Sequence, residues 1–354
     1  NQQTANTTCL SHTGDFQVNA GIINVTGYAG CELARILYQH PEINLTTVTG
    51  RSSAGENLSE VFPHLANLNL TITPELDGSV DVVFSALPHK ASAEAVIPLV
   101  EQGIKTIDIS ADFRLKSTEE YSQWYGVNHP DPSYLNKSVY GLTEIHRQEI
   151  SQSRLIANPG CYPTSAILGL APAVSLGIIS EDIIIDSKSG VSGAGRSLAL
   201  TTHYSEVNEN VMAYSLGGHR HLPEIVQELG DLTDTTLNIT FLTHLIPMTR
   251  GILSSCYAPL KEPYDKTETD IRELYQQFYK DSPFVQITEH PPQTKQTLGN
   301  NNCLVFPTID KRTNRLIVIS CIDNLVKGAA GMAVQNMNVM LGWPEDLALK
   351  TLAV

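Results

Sequence analysis

Ile22-Ile23-Asn24-Val25-Thr26-Gly27-Tyr28-Ala29-Gly30 is an apolar strand that runs into a glycine-bearing turn and opens a helix. A dinucleotide fold needs three things at such a place: a tight turn, a backbone that can approach a pyrophosphate, and a helix N-terminus aimed at it. Thr26, Gly27, Tyr28 and Gly30 supply that loop. Asn24 stands where the first glycine of the usual G-x-G-x-x-G would be, and Asn tolerates left-handed backbone better than most residues. The helix continues over 27–39, with Leu33, Ile36 and Leu37 on one face and Pro41 just past its end. Apolar strands follow at 45–48, 81–86, 106–109 and 155–157, with a helix over 91–102 ended by Gly103. Alternation of this kind is the signature of an α/β fold with a parallel, Rossmann-type sheet.

The end of the second strand reads Thr49-Gly50-Arg51-Ser52-Ser53. An NAD-specific site places a carboxylate here for the ribose hydroxyls, whereas a cation and hydroxyls suit a 2′-phosphate. Arg51 and Ser52 therefore predict NADP(H). Beyond residue 161 the pattern changes to strands at 183–185, 237–245 and 316–319 with long connections and few helices, apart from 267–279. That predicts an α+β domain on a mixed or antiparallel sheet. The stretch 328–340 is rich in small residues, with Val334 and Met337 at helical spacing, and is expected to return onto the first domain. The organisation expected is a polar tail over 1–18, a dinucleotide-binding domain over 19–160 plus 328–354, and a catalytic and oligomerisation domain over 161–327.

A net charge of -14 over 354 residues gives no footing for nucleic acid or an anionic membrane surface. No run approaches the roughly 20 apolar residues of a membrane span. Cysteines at 9, 31, 161, 256, 303 and 321 form no C-x-x-C pair and no metal-ligand spacing, which suits a reducing, cytoplasmic setting. Sequons at Asn44, Asn57, Asn69 and Asn238 read as chance in an Asn- and Thr-rich chain, since another, Asn24-Val25-Thr26, falls inside the phosphate loop.

The chemistry centres on Asn158-Pro159-Gly160-Cys161-Tyr162-Pro163-Thr164, between the strand 155–157 and an apolar helix over 164–174. A thiol at a helix N-terminus faces unpaired N–H groups and the positive end of the dipole, which favours its thiolate. A thiolate beside a nicotinamide points to acyl transfer through a thioester and hydride reduction to an aldehyde. The run Gly217-Gly218-His219-Arg220-His221-Leu222-Pro223-Glu224 offers two imidazoles for proton transfer. Arg114, Arg196, Arg220 and Arg250, all in glycine-, serine- or proline-marked loops, offer cations for an anionic small-molecule substrate. Its helix and His219 are expected to bring the Cys161 thiol near neutrality.

Taken together these segments resemble the N-acetyl-γ-glutamyl-phosphate reductase family, over roughly residues 22–343. The resemblance runs through Gly27-Tyr28-Ala29-Gly30-Cys31-Glu32-Leu33, Ala86-Leu87-Pro88-His89, Ser110-Ala111-Asp112-Phe113-Arg114-Leu115, Tyr140-Gly141-Leu142 and the Cys161 run. It continues in Ser189-Gly190-Val191-Ser192-Gly193-Ala194-Gly195-Arg196, the His219 run, Ile246-Pro247-Met248-Thr249-Arg250-Gly251 and Ile322-Asp323-Asn324-Leu325-Val326-Lys327-Gly328. It implies that Cys161 is the nucleophile and His219 the general acid/base. It further implies that Arg114 meets the substrate phosphate, and that Arg196, Tyr214 and Arg220 line the substrate pocket. Ser189 and Asn324 would lie near the nicotinamide, Leu87 and Pro88 along the cofactor cleft, and the protein would be a homodimer or homotetramer. Competing readings are aspartate-semialdehyde dehydrogenase, whose nucleophile usually sits in an Asn-Cys-Ser/Thr context, a thiol hydrolase or acyl transferase without nicotinamide, and a non-catalytic NADP-binding sensor.

Overall fold

The computed structural model describes residues 17–261 and 267–354. Residues 1–16 of the expected tail, Cys9 among them, lie outside the described residues, whereas Val18, assigned to that tail, opens the first strand. In chain order the first domain contains β1 (Val18–Ile23), α1 (Tyr28–Tyr38), β2 (Ile43–Thr49), α2 (Leu58–Val61), β3 (Ile72–Thr73), β4 (Val82–Ser85) and α3 (Ser92–Glu101). It continues with β5 (Lys105–Asp108), α4 (Thr118–Tyr125), β6 (Val139–Tyr140), α5 (Thr143–Gln152) and β7 (Leu155–Ala157). The strands form a 7-stranded sheet in the order β3-β2-β1-β4-β5-β7-β6, with every pairing parallel. Every residue of β4 and β7 is buried, as expected where helices cover both faces and strands become continuous apolar runs. β1 stops at Ile23, because Asn24 has turned into left-handed backbone at φ 65°.

The second domain holds α6 (Cys161–Ser175), β8 (Asp182–Ser189), α7 (Tyr204–Val207), β9 (Met212–Tyr214), α8 (Leu222–Gly230), β10 (Asn238–Leu245) and β11 (Ile252–Pro259). Then come α9 (Glu268–Phe278), β12 (Val285–Ile287), β13 (Cys303–Asp310) and β14 (Arg315–Ile322). Its sheet also has 7 strands, ordered β12-β13-β14-β11-β8-β10-β9. β8 and β10 run parallel, as do β12 and β13, while the other neighbours are antiparallel, so the sheet is mixed. α6 is apolar all round and buried from Tyr162 to Val174, the pattern of a central helix. It shares one apolar cluster with Ile183, Ile185, Cys256 and Val318 of the sheet. The alternate residues of β8, including the exposed Ile184, point to the other side of that sheet.

The chain crosses between domains in two places, and they touch. It leaves β7 through Asn158-Pro159-Gly160 and returns through a π-turn, Val326–Ala330, that feeds α10 (Gly331–Met340). Asn158 Nδ2 donates to the carbonyl of Ala329 at 3.0 Å across this junction. Ala330, Ala333, Val334 and Met337 then pack among Ile22, Leu33, Phe84 and Ile107 of the first domain.

Candidate active site

The phosphate loop is built around Asn24. Its Nδ2 donates to the Ala86 carbonyl at 2.8 Å, tying the loop to the end of β4 just before Leu87 and Pro88. A Cβ on Gly30 would fall 2.5 Å from the Asn24 carbonyl oxygen, so only glycine lets α1 pack so closely on β1. Gly27 is different: its nearest neighbour to an added Cβ is 3.7 Å away, which leaves the backbone open to an approaching anion at the α1 N-terminus. Thr26 offers its carbonyl to Arg196 Nη1 at 2.7 Å, so a loop of the second domain reaches the phosphate loop. Arg51 and Ser52 stand exposed in the turn after β2. A cleft of about 530 Å³ opens between Tyr28 at the start of α1 and the second-domain loop 191–203, lined also by Thr249.

Cys161 is the first residue of α6, three positions earlier than the sequence pattern places the helix start. Pro163 does not delay the helix, because a proline in the first turn gives up an N–H that has no helical partner anyway. Gly328 of the π-turn backs the thiol so closely that an added Cβ would lie 2.7 Å from Cys161 Cβ. The thiol does not rest near neutrality. Burial pushes it up to about 11, outweighing the Arg114 charge and the Tyr162 N–H that pull it down. The resting group is therefore a protonated thiol.

His219 and His221 both enter the site. Tyr162, next to the thiol, packs its ring edge-on against both, at centroid separations of 5.4 and 6.0 Å. Tyr214 packs on His219 at 5.6 Å and shares a 2.9 Å hydroxyl contact with Tyr162. His219 Nδ1 accepts the His221 N–H at 3.1 Å, which leaves Nε2 of the neutral ring as a donor. Burial, reinforced by Arg220, lowers His219 to about 4. Burial, then His219 and Arg114, lowers His221 as well. An unfolded imidazole takes its proton near pH 6.5, whereas these folded ones resist until far lower. Their contribution to stability is thus complete above about pH 6.5 and is lost as the pH falls toward 4. The thermal midpoint should drop across that window, and His219→Asn should flatten the drop. An unchanged slope in that variant would remove His219 from the acid response.

Arg114 is 7% exposed and spends three of its five N–H donors within the protein: Nε on the Asn158 carbonyl at 2.8 Å, Nη2 on the Ile109 carbonyl at 2.7 Å and Nη1 on Glu224 Oε1 at 3.4 Å. It thus lies beside the thiol as a buried charge and braces the Asn158–Gly160 crossing. Glu224 completes this brace, accepting from the Gly160 N–H at 2.8 Å and Tyr140 hydroxyl at 2.9 Å. Sequence reasoning gave Glu224 no role, although Pro223-Glu224 in the first turn of α8 was its visible signal. A Cβ on Gly160 would meet His221 Nε2 at 2.8 Å and Arg114 Nη1 and Glu224 Oε1 at 2.9 Å, so this glycine is sterically required.

The remaining candidates are more dispersed. Ser189, at the end of β8, donates to the Gly190 carbonyl at 2.9 Å. Asn324 spends Oδ1 on the Gly251 N–H and Nδ2 on Ser192 Oγ, pinning the loops after β8 and β10. Both flank Gly193, each 3.8 Å from a Cβ placed there. Arg220 is exposed, lies over the Tyr125 ring and contacts His89 Nε2. Arg250 is not free for a substrate, being paired with Glu32 and Asp323. Among the described residues no cluster of His, Cys, Asp and Glu could hold a metal, and no helix is long and apolar enough to cross a membrane.

Comparison with known proteins identifies the family. The profile described as semialdehyde dehydrogenase, NAD binding domain, matches residues 19–153, and the one described as semialdehyde dehydrogenase, dimerisation domain, matches 161–324. A protein of Dehalococcoides mccartyi named N-acetyl-gamma-glutamyl-phosphate reductase is 57% identical over 335 residues, covering 94% of this chain and 98% of its own. Proteins of the same name from Pelotomaculum thermopropionicum and Geobacillus stearothermophilus are 51% and 47% identical, covering 94% and 95% of this chain and 97% and 99% of their own. Among solved structures, aspartate semialdehyde dehydrogenase II from Vibrio cholerae superposes with a TM-score of 0.70 at 18% identity, covering 92% of this chain and 99% of its own. An aspartate semialdehyde dehydrogenase with NADP from Candida albicans gives 0.66 at 14% identity, covering 92% and 98%. At such identity these two speak for the fold alone, whereas the full-length relatives place the chain in the N-acetyl-gamma-glutamyl-phosphate reductase family.

Proposed function

We propose that the protein reduces N-acetyl-γ-glutamyl phosphate to the semialdehyde and phosphate, with NADPH as hydride source. The observation that carries this reading is the position of Cys161, at a helix N-terminus on the domain junction, beside two imidazoles and a buried arginine. Cys161 Sγ, as its proton leaves, attacks the acyl carbon, and the C–O bond to phosphate breaks with its electron pair leaving on the phosphate. That creates an S-acyl thioester. Hydride then adds to the thioester carbonyl, the C–S bond breaks, and the thiolate and aldehyde are released. The hydride is what a bound nicotinamide dinucleotide supplies. Gly27, Gly30 and Thr26 would hold its pyrophosphate, Arg51 and Ser52 a 2′-phosphate, with Leu87, Pro88 and Asn324 bordering the cleft.

Burial holds the Cys161 thiol up, to about 11, so its proton has to leave in the course of the acylation step. The phosphate oxygen freed as the C–O bond breaks can take the thiol proton, while burial keeps His219 neutral and its Nε2–H set to donate to the developing oxyanion. Exposed Arg196 and Arg220 are the cations we assign to the anionic substrate, with Tyr214, bonded to Tyr162 beside the thiol, and Ser189 completing the pocket. The assay is phosphate-dependent reduction of NADP with N-acetylglutamate semialdehyde, beside aspartate semialdehyde and an NAD control. Signal with the acetylated substrate and NADP supports the reading. Activity only with aspartate semialdehyde, or NAD used as well as NADP, would sink the corresponding half.

We also propose a homo-oligomer through the outer face of the mixed sheet, where Ile184, Leu253, Tyr257, Ile317 and Ile319 remain at least partly exposed. The match to a dimerisation-domain profile supports this. Light scattering should read a multiple of the chain mass, and Ile319→Asp should lower it. A monomeric wild type would refute it.

A further inference from the structure

Arg250 precedes Gly251 in the turn between β10 and β11, and its backbone is held on several sides. Gly190 N–H donates to the Gly251 carbonyl at 2.9 Å, Ser192 N–H to the Thr249 carbonyl at 3.1 Å, and Gly251 N–H to Asn324 Oδ1 at 2.8 Å. A Cβ on Gly190 would fall 2.7 Å from the Thr249 oxygen. With its stem fixed in the second domain, the guanidinium reaches out of it. Nη2 donates to Glu32 Oε2 of α1 at 2.7 Å, and Nη1 to Asp323 Oδ2 at 3.4 Å.

Both carboxylates are buried and lead to reacting parts of the site. Glu32 sits in α1, the helix whose N-terminus faces the phosphate loop, and its other oxygen is held by Arg35 at 2.6 Å. Asp323 Oδ1 accepts the N–H groups of Leu325 at 2.8 Å and Val326 at 3.2 Å, which starts the π-turn. That turn presses Gly328 against Cys161. The contacts therefore run without a gap from α1 through Glu32, Arg250 and Asp323 to the base of the nucleophile. A forked cation is the one side chain that can hold two carboxylates at fixed separation.

We propose that Arg250 is a positioning residue that sets the dinucleotide-binding helix in register with the Cys161 helix, so that the hydride source meets the thioester carbon. This rests on the reaction proposed above. Acylation depends on the Cys161 helix, the His219 loop and Arg114, whose contacts to Asn158 and Glu224 do not pass through Arg250, and Asp323 keeps its backbone contacts, including the Gly299 N–H at 2.8 Å, when Arg250 is lost. Hydride transfer requires both domains in register. The two half-reactions should therefore separate.

The test follows both half-reactions in the full-length protein. Phosphate released in one burst per active site, with acyl phosphate and no NADPH, reads acylation. Loss of NADPH absorbance in a single turnover reads hydride transfer. Arg250→Gln should leave the burst rate within about threefold and slow hydride transfer by about 10- to 100-fold, the scale of a misplacement near 1 Å. Arg250→Lys should recover only part, because an ammonium does not fork between two carboxylates. Glu32→Gln should reproduce the slow hydride step, and it carries the test where Arg250→Gln does not fold, since both arginines remain. Equal losses in both half-reactions, or an unaltered hydride step in Glu32→Gln, would overturn the role of Arg250. A wild type that releases no phosphate would instead overturn the reaction itself, and this inference with it.

Discussion

Cys161→Ser is expected to abolish reduction while NADPH still binds. The change removes the one atom that can form the thioester, and a serine hydroxyl in the same buried place is far harder to ionise than a thiol. The oxygen ester it would give is also a poorer hydride acceptor. Loss of a nucleophile that acts as part of a unit costs at least about 10^3-fold in turnover. Dinucleotide affinity should stay within about twofold, because the contacts proposed for the pyrophosphate lie on α1 and its preceding loop, in the other domain. Mass spectrometry after mixing with the acyl phosphate gives a second readout: the wild type should gain an acyl group on the 161 peptide and the variant should not. Full turnover by Cys161→Ser would refute the nucleophile.

The largest stability effect should come from Lys327→Met. Lys327 is 0% exposed, with Nζ 2.6 Å from Glu144 Oε1 and 2.8 Å from Gln335 Oε1. Burial pushes the Glu144 carboxyl up, yet Lys327 and Gln335 hold it below the usual carboxylate range. Its second oxygen has no hydrogen-bond partner, so the lysine is what makes a buried carboxylate tolerable here. Removing the cation alone leaves an uncompensated charge, at a cost of about 3–5 kcal/mol. For a chain of 354 residues the melting midpoint should fall by about 4–7 °C. Adding Glu144→Leu should recover much of that loss, since a buried pair exchanged for apolar groups is often near neutral. An unshifted midpoint in Lys327→Met would show that the pair is not coupled as drawn.

How much of this was legible in the sequence depended on how local the cause was. The strand Leu155–Ala157 has the bounds its apolar run implied, and Asn24 takes the left-handed backbone its side chain permits. α10 returns to the first domain as its small-residue stripe implied. These are decided within a few residues. The Cys161 thiol is not: its high pKa comes from burial at the domain junction, which segments far apart in the chain build together. Arg114 looked like a free cation because its partner Glu224 is 110 residues away. β11 and β13 went unread, since each has few polar breaks and gains its identity only from antiparallel partners in register. Pro223 in the first turn of α8 is an ordinary helix-opening signal, masked in the sequence by the histidines of the run before it.

The touching of the two domain crossings has a mechanical consequence. If the two domains rotate against each other, these two touching crossings are where the rotation would be centred, and Cys161 lies at them. A point on the axis of rotation moves least, so any opening of the jaws would carry the Thr26 loop and the Arg196 loop apart while the sulfur stayed still. The nucleophile can thus keep its aim through each cycle of loading and release. Hydrogen exchange should show it, with Arg196 and its neighbours exchanging readily, Ala329 and Ala330 slowly, and cofactor slowing only the former.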